Sequence, residues 1–411
     1  MVQKTMKIGI IGAGASGMMA AIIAAEQGAE VTLIEKNDRE GKKILATGNG
    51  KCNFTNKNIT QNDYHSQKPY CVKYYLDQFN EEDTIALFMK WGMMHKEKDG
   101  YCYPRSEQAS TVLGILKQKC LSLNIPVLNN TIPQNIRRNK KGFVIELNEG
   151  RKLFFDRIIL SCGSFAGQKH KDELNGYTYA ASFGHTIIPI VPSLVQVRAK
   201  GKEFKQIAGV RCQAKIQLLI ENVKITEEEG ELQLTDYGIS GIPVFQFSRE
   251  VGYGALLHKK MEAIIDFLPE ITEEEWQRII KIKWENISKE RNLDDFFQGF
   301  LNGKLNGMFI KSMDYIPEKK LKYLNLEDIL SISTRMKHWK ILLEDTNPFF
   351  NAQVCAGGIS MEEISEQLES NIIKGLFFCG EILDVDGRCG GYNLQWAWTS
   401  GYLAGKYASQ I

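Results

Sequence analysis

The chain has 411 residues, 51 of them Lys or Arg and 49 Asp or Glu, for a formal charge of +2. That balance excludes a global field built for nucleic acid or an anionic membrane, and the length allows a large core in two or three domains. Nine scattered cysteines without a CxxC pair point to reduced thiols in a cytoplasmic protein, and away from a disulfide framework or a metal site.

Residues 7–11, Lys-Ile-Gly-Ile-Ile, read as a buried strand, 18–27 as an Ala/Met/Ile-rich helix and 30–35 as a second strand. Gly12-Ala13-Gly14-Ala15-Ser16-Gly17 joins the first two. Gly12 suits a tight turn, Gly14 a close approach of backbone to a pyrophosphate, and Gly17 close packing of helix on strand. The helix start offers free N–H groups and a partial positive charge to phosphates. Glu35, closing the second strand, is placed to accept hydrogen bonds from a ribose diol. Strand, glycines, helix, strand and acid together specify a dinucleotide site. The uncharged run 8–25, behind Lys4 and Lys7, is long enough to resemble a signal peptide or a marginal membrane span. Its four glycines and the charged strand that follows argue against both, so no membrane is expected.

A loop rich in Gly, Asn, Lys and Thr follows at 41–56, then helical stretches near 71–91 and 107–123. Residues 125–128, 143–147 and 152–155 read as strands, and 157–163 as an apolar strand whose small terminal residues let a backbone turn pass close to a dinucleotide. The basic groups Arg137-Arg138 with Lys140-Lys141, and Lys319-Lys320 with Lys322, read as solvated surface. Around Pro189 and Pro192 the character changes. Residues 195–225 alternate apolar and polar at period two, as antiparallel strands do. An acidic turn is expected at Glu227-Glu228-Glu229-Gly230-Glu231, then another strand. Residues 251–326 read as mostly helical, with 273–288 amphipathic and capped by Thr272. Residues 339–344 return to strand, and 375–381 form a buried, parallel-type strand before a Gly-rich loop and a helix at 394–408.

The expected fold is therefore α/β: a Rossmann-like dinucleotide domain interrupted by a β-barrel insert and a small helical domain. The first part of that domain takes 1–192 and its last part 350–411. The barrel insert takes 193–250 and 327–349, and the helical domain 251–326.

The C-terminal stretch selects the cofactor. A strand ending in Gly380-Glu381, a loop carrying Asp384 and Asp386, and a Gly390-Gly391 turn opening a helix make a second clamp. FAD needs one, because its ribityl chain and ring system extend far from the pyrophosphate. Acids after the strand can bind ribityl hydroxyls, and a helix start aimed at the ring favours the negative charge that develops on reduction.

Four spaced motifs carry a wider resemblance: Thr47-Gly-Asn-Gly-Lys-Cys-Asn-Phe-Thr-Asn56, Thr235-Asp-Tyr-Gly-Ile-Ser-Gly241, Ala352-Gln-Val-Cys-Ala-Gly-Gly358, and Gly380-Glu381 through Gly391-Tyr-Asn-Leu-Gln-Trp396. Together, over nearly the whole chain, they resemble the BaiN/YhiN-like family of bacterial FAD-dependent oxidoreductases. The resemblance implies an FAD domain of the glutathione-reductase type. It puts Ala15, Ser16, Glu35 and Lys36 at the ADP half of FAD, and Lys43, Thr47, Gly48 and Gly50 near pyrophosphate and flavin. Ile132 falls at the adenine, Gly163 near the pyrophosphate, and Glu381, Asp384, Asn393 and Leu394 at the ribityl chain and ring. Leu174-Asn175-Gly176 and Cys355 depart from the family pattern, which commonly has Thr-Gly-Asp-Gly and Thr there.

Family members are linked to reduction of conjugated C=C bonds in steroid-like acids, to oxidation of amino ketones by oxygen, and to dihydrouridine formation in ribosomal RNA. Reduction of an activated C=C needs a hydride from the flavin and a proton donor. Cys389, just before the helix turn, and Tyr392 are candidates, with Tyr103 a rival. Arg388 suits a carboxylate, phosphate or carbonyl oxygen. Cys52 reads as a structural loop residue and His185 as a hydrogen-bonded turn histidine. No second GxGxxG exists, so NAD(P)H is expected to dock transiently. The substrate, a small molecule or ribosomal RNA, is expected between the flavin and the inserts, with residues 386–389 lining the cleft. The expectation is an NAD(P)H-driven reductase. The alternatives are an oxygen-using oxidase of a small amino ketone, and an RNA- or protein-binding flavoprotein whose FAD is structural or sensing.

Overall fold

The computed structural model describes residues 5–170 and 172–410. Met1–Lys4, Lys171 and Ile411, which the expected terminal spans include, lie outside them. The chain divides into two compact units, residues 1–191 with 353–411, and residues 192–352.

The first unit is built on a five-stranded sheet in the order Leu376–Phe378, Arg157–Leu160, Lys7–Ile11, Glu30–Ile34, Val127–Leu128. All four pairings are parallel. Ile8, Ile10, Ile158, Ile159, Leu160 and Leu376 are fully buried, which accounts for the nearly unbroken apolar runs of strands covered on both faces. The strand Leu376–Phe378 lies beside Arg157–Leu160, so the C-terminal segment completes the sheet that the fingerprint begins. The C-terminal helix Tyr392–Ser409 packs on the fingerprint helix Ala15–Glu26. Gly401 and Gly405, one turn apart, make that approach possible: a Cβ on Gly405 would stand 2.4 Å from the Ala20 carbonyl oxygen.

The unit also holds a three-stranded antiparallel sheet, Asn135–Asn139, Gly142–Glu146 and Lys152–Phe155, and a second one in which the hairpin His95–Lys98 with Tyr101–Pro104 is joined by Thr55–Asn56, while Asp386–Gly387 pairs with Tyr64–His65. The helical stretch near 71–91 is two helices, Pro69–Leu76 and Glu81–Lys90. Asn80 starts the second by accepting from the backbone N–H groups of Glu82 and Asp83.

The second unit is a closed six-stranded barrel in the order Val197–Lys200, Gly238–Ser240, Val223–Leu234, Arg211–Ile220, Met261–Asp266, Trp339–Thr346. Ala214, Ile216 and Leu218 alternate inward and are fully buried. Helices Glu273–Asn286, Leu293–Phe297, Gly303–Lys311 and Leu326–Lys337 share its hydrophobic core. The Thr272 hydroxyl caps the first of them, accepting from the Glu275 N–H at 3.2 Å.

Two expectations are corrected. The acidic segment 227–231 is not a turn but the middle of the strand Val223–Leu234. Glu227, Glu229 and Glu231 project from the barrel to water, where Glu227 meets Lys224 at 2.8 Å, and the chain reverses earlier, at Glu221 and Asn222, both at positive φ. The second correction is one of detail within the span expected to be mostly helical: Met261–Asp266 is a barrel strand. Met261, Ala263 and Ile265 are buried in the core, and six residues are too few for the period to separate strand from helix.

Candidate active site

The fingerprint turn is fixed by its own backbone. Gly12 has φ +104° and donates its N–H to the Ile34 carbonyl at 2.8 Å. A side chain on Gly17 would meet the Gly12 carbonyl at 2.0 Å, so only glycine lets the helix start this close to the strand. The Ser161 hydroxyl, donating at 2.8 Å to the Gly12 carbonyl, ties the turn to the neighbouring strand end. Glu35 is buried, and both its oxygens serve the protein: one accepts from Ala13 N–H at 2.8 Å, the other from the Asn37 backbone and side chain at 2.9 and 2.6 Å. Its carboxylate therefore shapes the turn itself. Lys36 pairs with Asp172 at 2.6 Å. Ile132 is half exposed and follows Thr131, whose N–H bonds the Glu35 carbonyl at 2.9 Å, which puts it on the Glu35 side of the sheet end.

The loop 41–56 joins here through the Gly41 N–H, 2.8 Å from the Ala13 carbonyl. Thr47 is extended while Gly48 and Asn49 are left-handed, at φ +54° and +53°. The N–H groups of Lys51 and Cys52 close that turn back onto Gly48 and Thr47. Lys43 reaches Glu381 at 2.5 Å. Glu381 is a hub: it also accepts from the Ser164 hydroxyl at 2.5 Å and the Cys355 N–H at 3.0 Å. Gly380, just before it, is held by Ser400 and Trp396 of the C-terminal helix, and the Ser16 hydroxyl donates at 3.4 Å to the Cys379 carbonyl. Fingerprint and C-terminal clamp are thus one piece of structure.

Asp384 is buried and accepts from the Gln67 N–H at 2.8 Å, so part of its bonding capacity holds the 66–68 loop. Asn393 clamps the loop before its own helix, accepting from Gly387 N–H and donating to the Gly387 and Arg388 carbonyls. Gly391 starts the helix at φ +97° with no side-chain cap and no acid in the first turn, so the first N–H groups, those of Tyr392, Asn393 and Leu394, precede the intrahelical ladder. The fingerprint helix likewise starts without a side-chain cap or a first-turn acid.

Arg388, Cys389 and Tyr392 come together with the hairpin Tyr101–Pro104. The Gly390 Cα faces the Tyr101 ring so closely that a Cβ would be 2.7 Å from it. Tyr103 interacts electrostatically with Tyr101 and Cys389. The Arg388 N–H is held by the Asp63 carbonyl at 2.9 Å. Burial raises the Cys389 thiol above the usual value, and burial, reinforced by Asp63 and Tyr101, pushes the Tyr392 phenol up to about 12. Both groups hold their protons at neutral pH. The same desolvation pushes Cys52 up to about 11 and Cys355 to about 12, so neither is a ready thiolate. Cys52 is buried in the left-handed region, a structural loop position. His185 is no free base: its ring bridges Glu363 at 3.1 Å and Ser370 at 2.7 Å. Asn175, in the departing Leu-Asn-Gly segment, caps the helix Gly176–Ser182.

The residues fit an FAD. A Cβ added at Gly14 or Gly163 would meet nothing within 4 Å, which leaves backbone facing open space at two positions expected to approach phosphates. Two uncapped, acid-free helix starts belong to the same unit, where anionic groups are stabilised.

Residues 6–407 match the family model described as the HI0933-like protein Rossmann domain. The chain belongs to that family. It is 40% identical over 411 residues to a 3-dehydro-bile acid delta(4,6)-reductase of Clostridium scindens, covering 98% of this chain and 99% of that one. It is 29% identical to a ribosomal RNA dihydrouridine synthase of Escherichia coli, covering 97% and 96%. A solved 3-ketosteroid-delta4-(5alpha)-dehydrogenase of Rhodococcus jostii RHA1 matches at 14% identity and a TM-score of 0.47, over 100% of this chain and 98% of that one. The chain is a flavoprotein oxidoreductase with a Rossmann domain, and among the described residues no helix is long and apolar enough to cross a membrane.

One structural feature escaped the sequence reading. Gln395 is fully buried and bonded to Thr55, Thr84 and Thr399. The Gly-Gly-helix motif points at its neighbourhood, but nothing local in sequence foretells partners more than 300 residues away.

Proposed function

We propose that the protein is an NAD(P)H-driven, FAD-dependent reductase of an activated C=C bond in a small, steroid-like acid, working in the cytoplasm. The observation that carries this is the pair of protonated groups, Cys389 and Tyr392, beside Arg388 at the start of the C-terminal helix. The 40% identity to a bile acid reductase supports the substrate class. Bound FAD supplies hydride chemistry at its ring.

The chain supplies the rest. Ser16 and Lys36 hold the adenosine half, with Glu35 fixing the turn that presents the backbone of Gly12, Gly14, Ala15 and Gly17 to the phosphates. Gly163, Gly48, Gly50, Thr47 and Lys43 line the middle. Gly380, Glu381, Asp384, Asn393 and Leu394 take the ribityl chain and ring, and Ile132 the adenine edge. Arg388 grips a carbonyl or carboxylate oxygen of the substrate and so draws electrons from the conjugated bond. Cys389 or Tyr392 delivers the proton to the α-carbon, a task for which a thiol or phenol that stays protonated is suited. Uracil in RNA carries the same activated C=C, and the likeness to dihydrouridine synthases keeps ribosomal RNA as the second reading.

The test is anaerobic incubation with NAD(P)H and a 4,6-dien-3-oxo bile acid, with the products read by mass spectrometry. Uptake of two hydrogens, slowed in Arg388→Ala while FAD stays bound, is expected. A product mass unchanged with every dienone tested, and dihydrouridine formed in ribosomal RNA instead, moves the assignment to the second reading.

A further inference from the structure

The first turn of the C-terminal helix is tied to distant segments of its unit, and a buried amide sits at the centre of the tie. Gln395 Oε1 accepts from the Thr55 hydroxyl at 2.6 Å, and Nε2 donates to the hydroxyls of Thr84 at 2.9 Å and Thr399 at 3.0 Å. The Thr399 hydroxyl in turn donates to the Phe79 carbonyl at 2.7 Å. Both protons of the amide are used. Two indoles anchor the next turn of the helix, Trp396 to the Gly380 carbonyl at 3.2 Å and Trp398 to the Phe54 carbonyl at 2.8 Å.

An apolar side chain of the same length would fill this site as well. What the amide adds is direction. A fully satisfied buried network has one arrangement, because each alternative leaves a buried polar group unpaired. The Gln395 N–H makes an intrahelical bond at the start of the helix, 3.0 Å to the Gly391 carbonyl. The residue whose side chain is locked is therefore the one that closes the turn carrying the N–H groups of Tyr392, Asn393 and Leu394.

We propose that Gln395 is a positioning residue: through the Thr55–Gln395–Thr84 network it holds those three N–H groups in a fixed direction toward the flavin, and so sets how strongly negative charge on the reduced ring is stabilised. This rests on the FAD reading given above. Preorganised dipoles act at full strength in a dry site and need no reorganisation when charge develops. A helix start free to shift gives up part of that effect.

Gln395→Leu and Thr55→Val cut the network from its two sides, whereas Thr55→Ser keeps the hydroxyl. The midpoint potential of the bound FAD is read by anaerobic equilibration of each holoenzyme with a reference dye, beside FAD content and melting temperature. The expected result is a tenfold weaker stabilisation of reduced over oxidised flavin in both cutting variants, a fall of about 30 mV for a two-electron couple, with Thr55→Ser at the wild-type potential. If Gln395→Leu does not fold, the Thr55 pair carries the test. A potential unchanged in Thr55→Val, with only the melting temperature lowered, overturns the proposal in favour of packing. Wild-type protein that binds no FAD overturns the underlying reading instead, so the two failures stay distinct.

Discussion

Glu35→Gln is expected to loosen FAD while leaving the protein folded. Three donors converge on the two oxygens of Glu35: the Ala13 N–H at 2.8 Å on one, and the Asn37 N–H and side-chain amide at 2.9 and 2.6 Å on the other. A glutamine offers one oxygen and one NH₂. Turned either way, it sets a donor against a donor at a site only 6% exposed. Hydrogen bonds to a charged group contribute about 1.5–3 kcal/mol, and an orphaned buried donor costs about as much. The free protein can relax the Gly12–Gly17 turn to escape this conflict, but binding requires the turn back in its phosphate-facing shape. The cost therefore appears in affinity. At 1.4 kcal/mol per tenfold, the Kd for FAD should rise about tenfold to a hundredfold. Equilibrium titration of apoprotein by FAD fluorescence measures it, with circular dichroism confirming the fold. A Kd within about twofold of wild type would mean that the carboxylate is dispensable to the turn.

Three further outcomes follow from the same structure. Gly405→Ala puts a methyl 2.4 Å from the Ala20 carbonyl, so the two helices must part; overpacking of this kind costs about 1–3 kcal/mol, seen as a melting temperature several degrees lower and FAD lost sooner on heating. Arg388→Ala should keep its FAD and lose about tenfold to a hundredfold in turnover, the loss of one charge-assisted contact; unchanged turnover would remove Arg388 from the site. Burial lowers the His185 pKa below 6.5 although Glu363 pulls it upward, so the unfolded chain takes up the proton first. Stability from this group is whole above about pH 6.5 and is lost as pH falls through the depressed native value. Melting scans should show stability declining as pH falls below about 6.5, a decline that His185→Asn flattens; equal declines in both proteins would exclude His185 as the cause.

What the sequence makes legible follows the range of the interactions that fix it. The fingerprint, from Lys7 to Glu35, is a local device whose glycines, strands and acid lie within one βαβ unit, and its register can be read residue by residue. The return of residues 376–378 to the same sheet is legible too, because a buried parallel strand leaves a continuous apolar run. The acidic strand Val223–Leu234 is not, since an outward-facing barrel edge tolerates charge that resembles a turn. Met261–Asp266 is too short for its period to stand out among neighbouring helices. Gln395 is invisible for another reason: a buried amide acquires meaning only from Thr55 and Thr84, brought to it by the fold. His185 is read correctly as a hydrogen-bonded histidine, but its partners Glu363 and Ser370 come from the far end of the chain.

The two half-reactions, measured without air, separate a reductase from an oxidase. Mixed anaerobically with NADH or NADPH in a stopped-flow instrument, the yellow holoenzyme should bleach within seconds, and a conjugated dienone acid should restore its colour faster than air does. No bleaching by either nicotinamide, together with rapid reoxidation by oxygen, would contradict a reductase of activated C=C bonds.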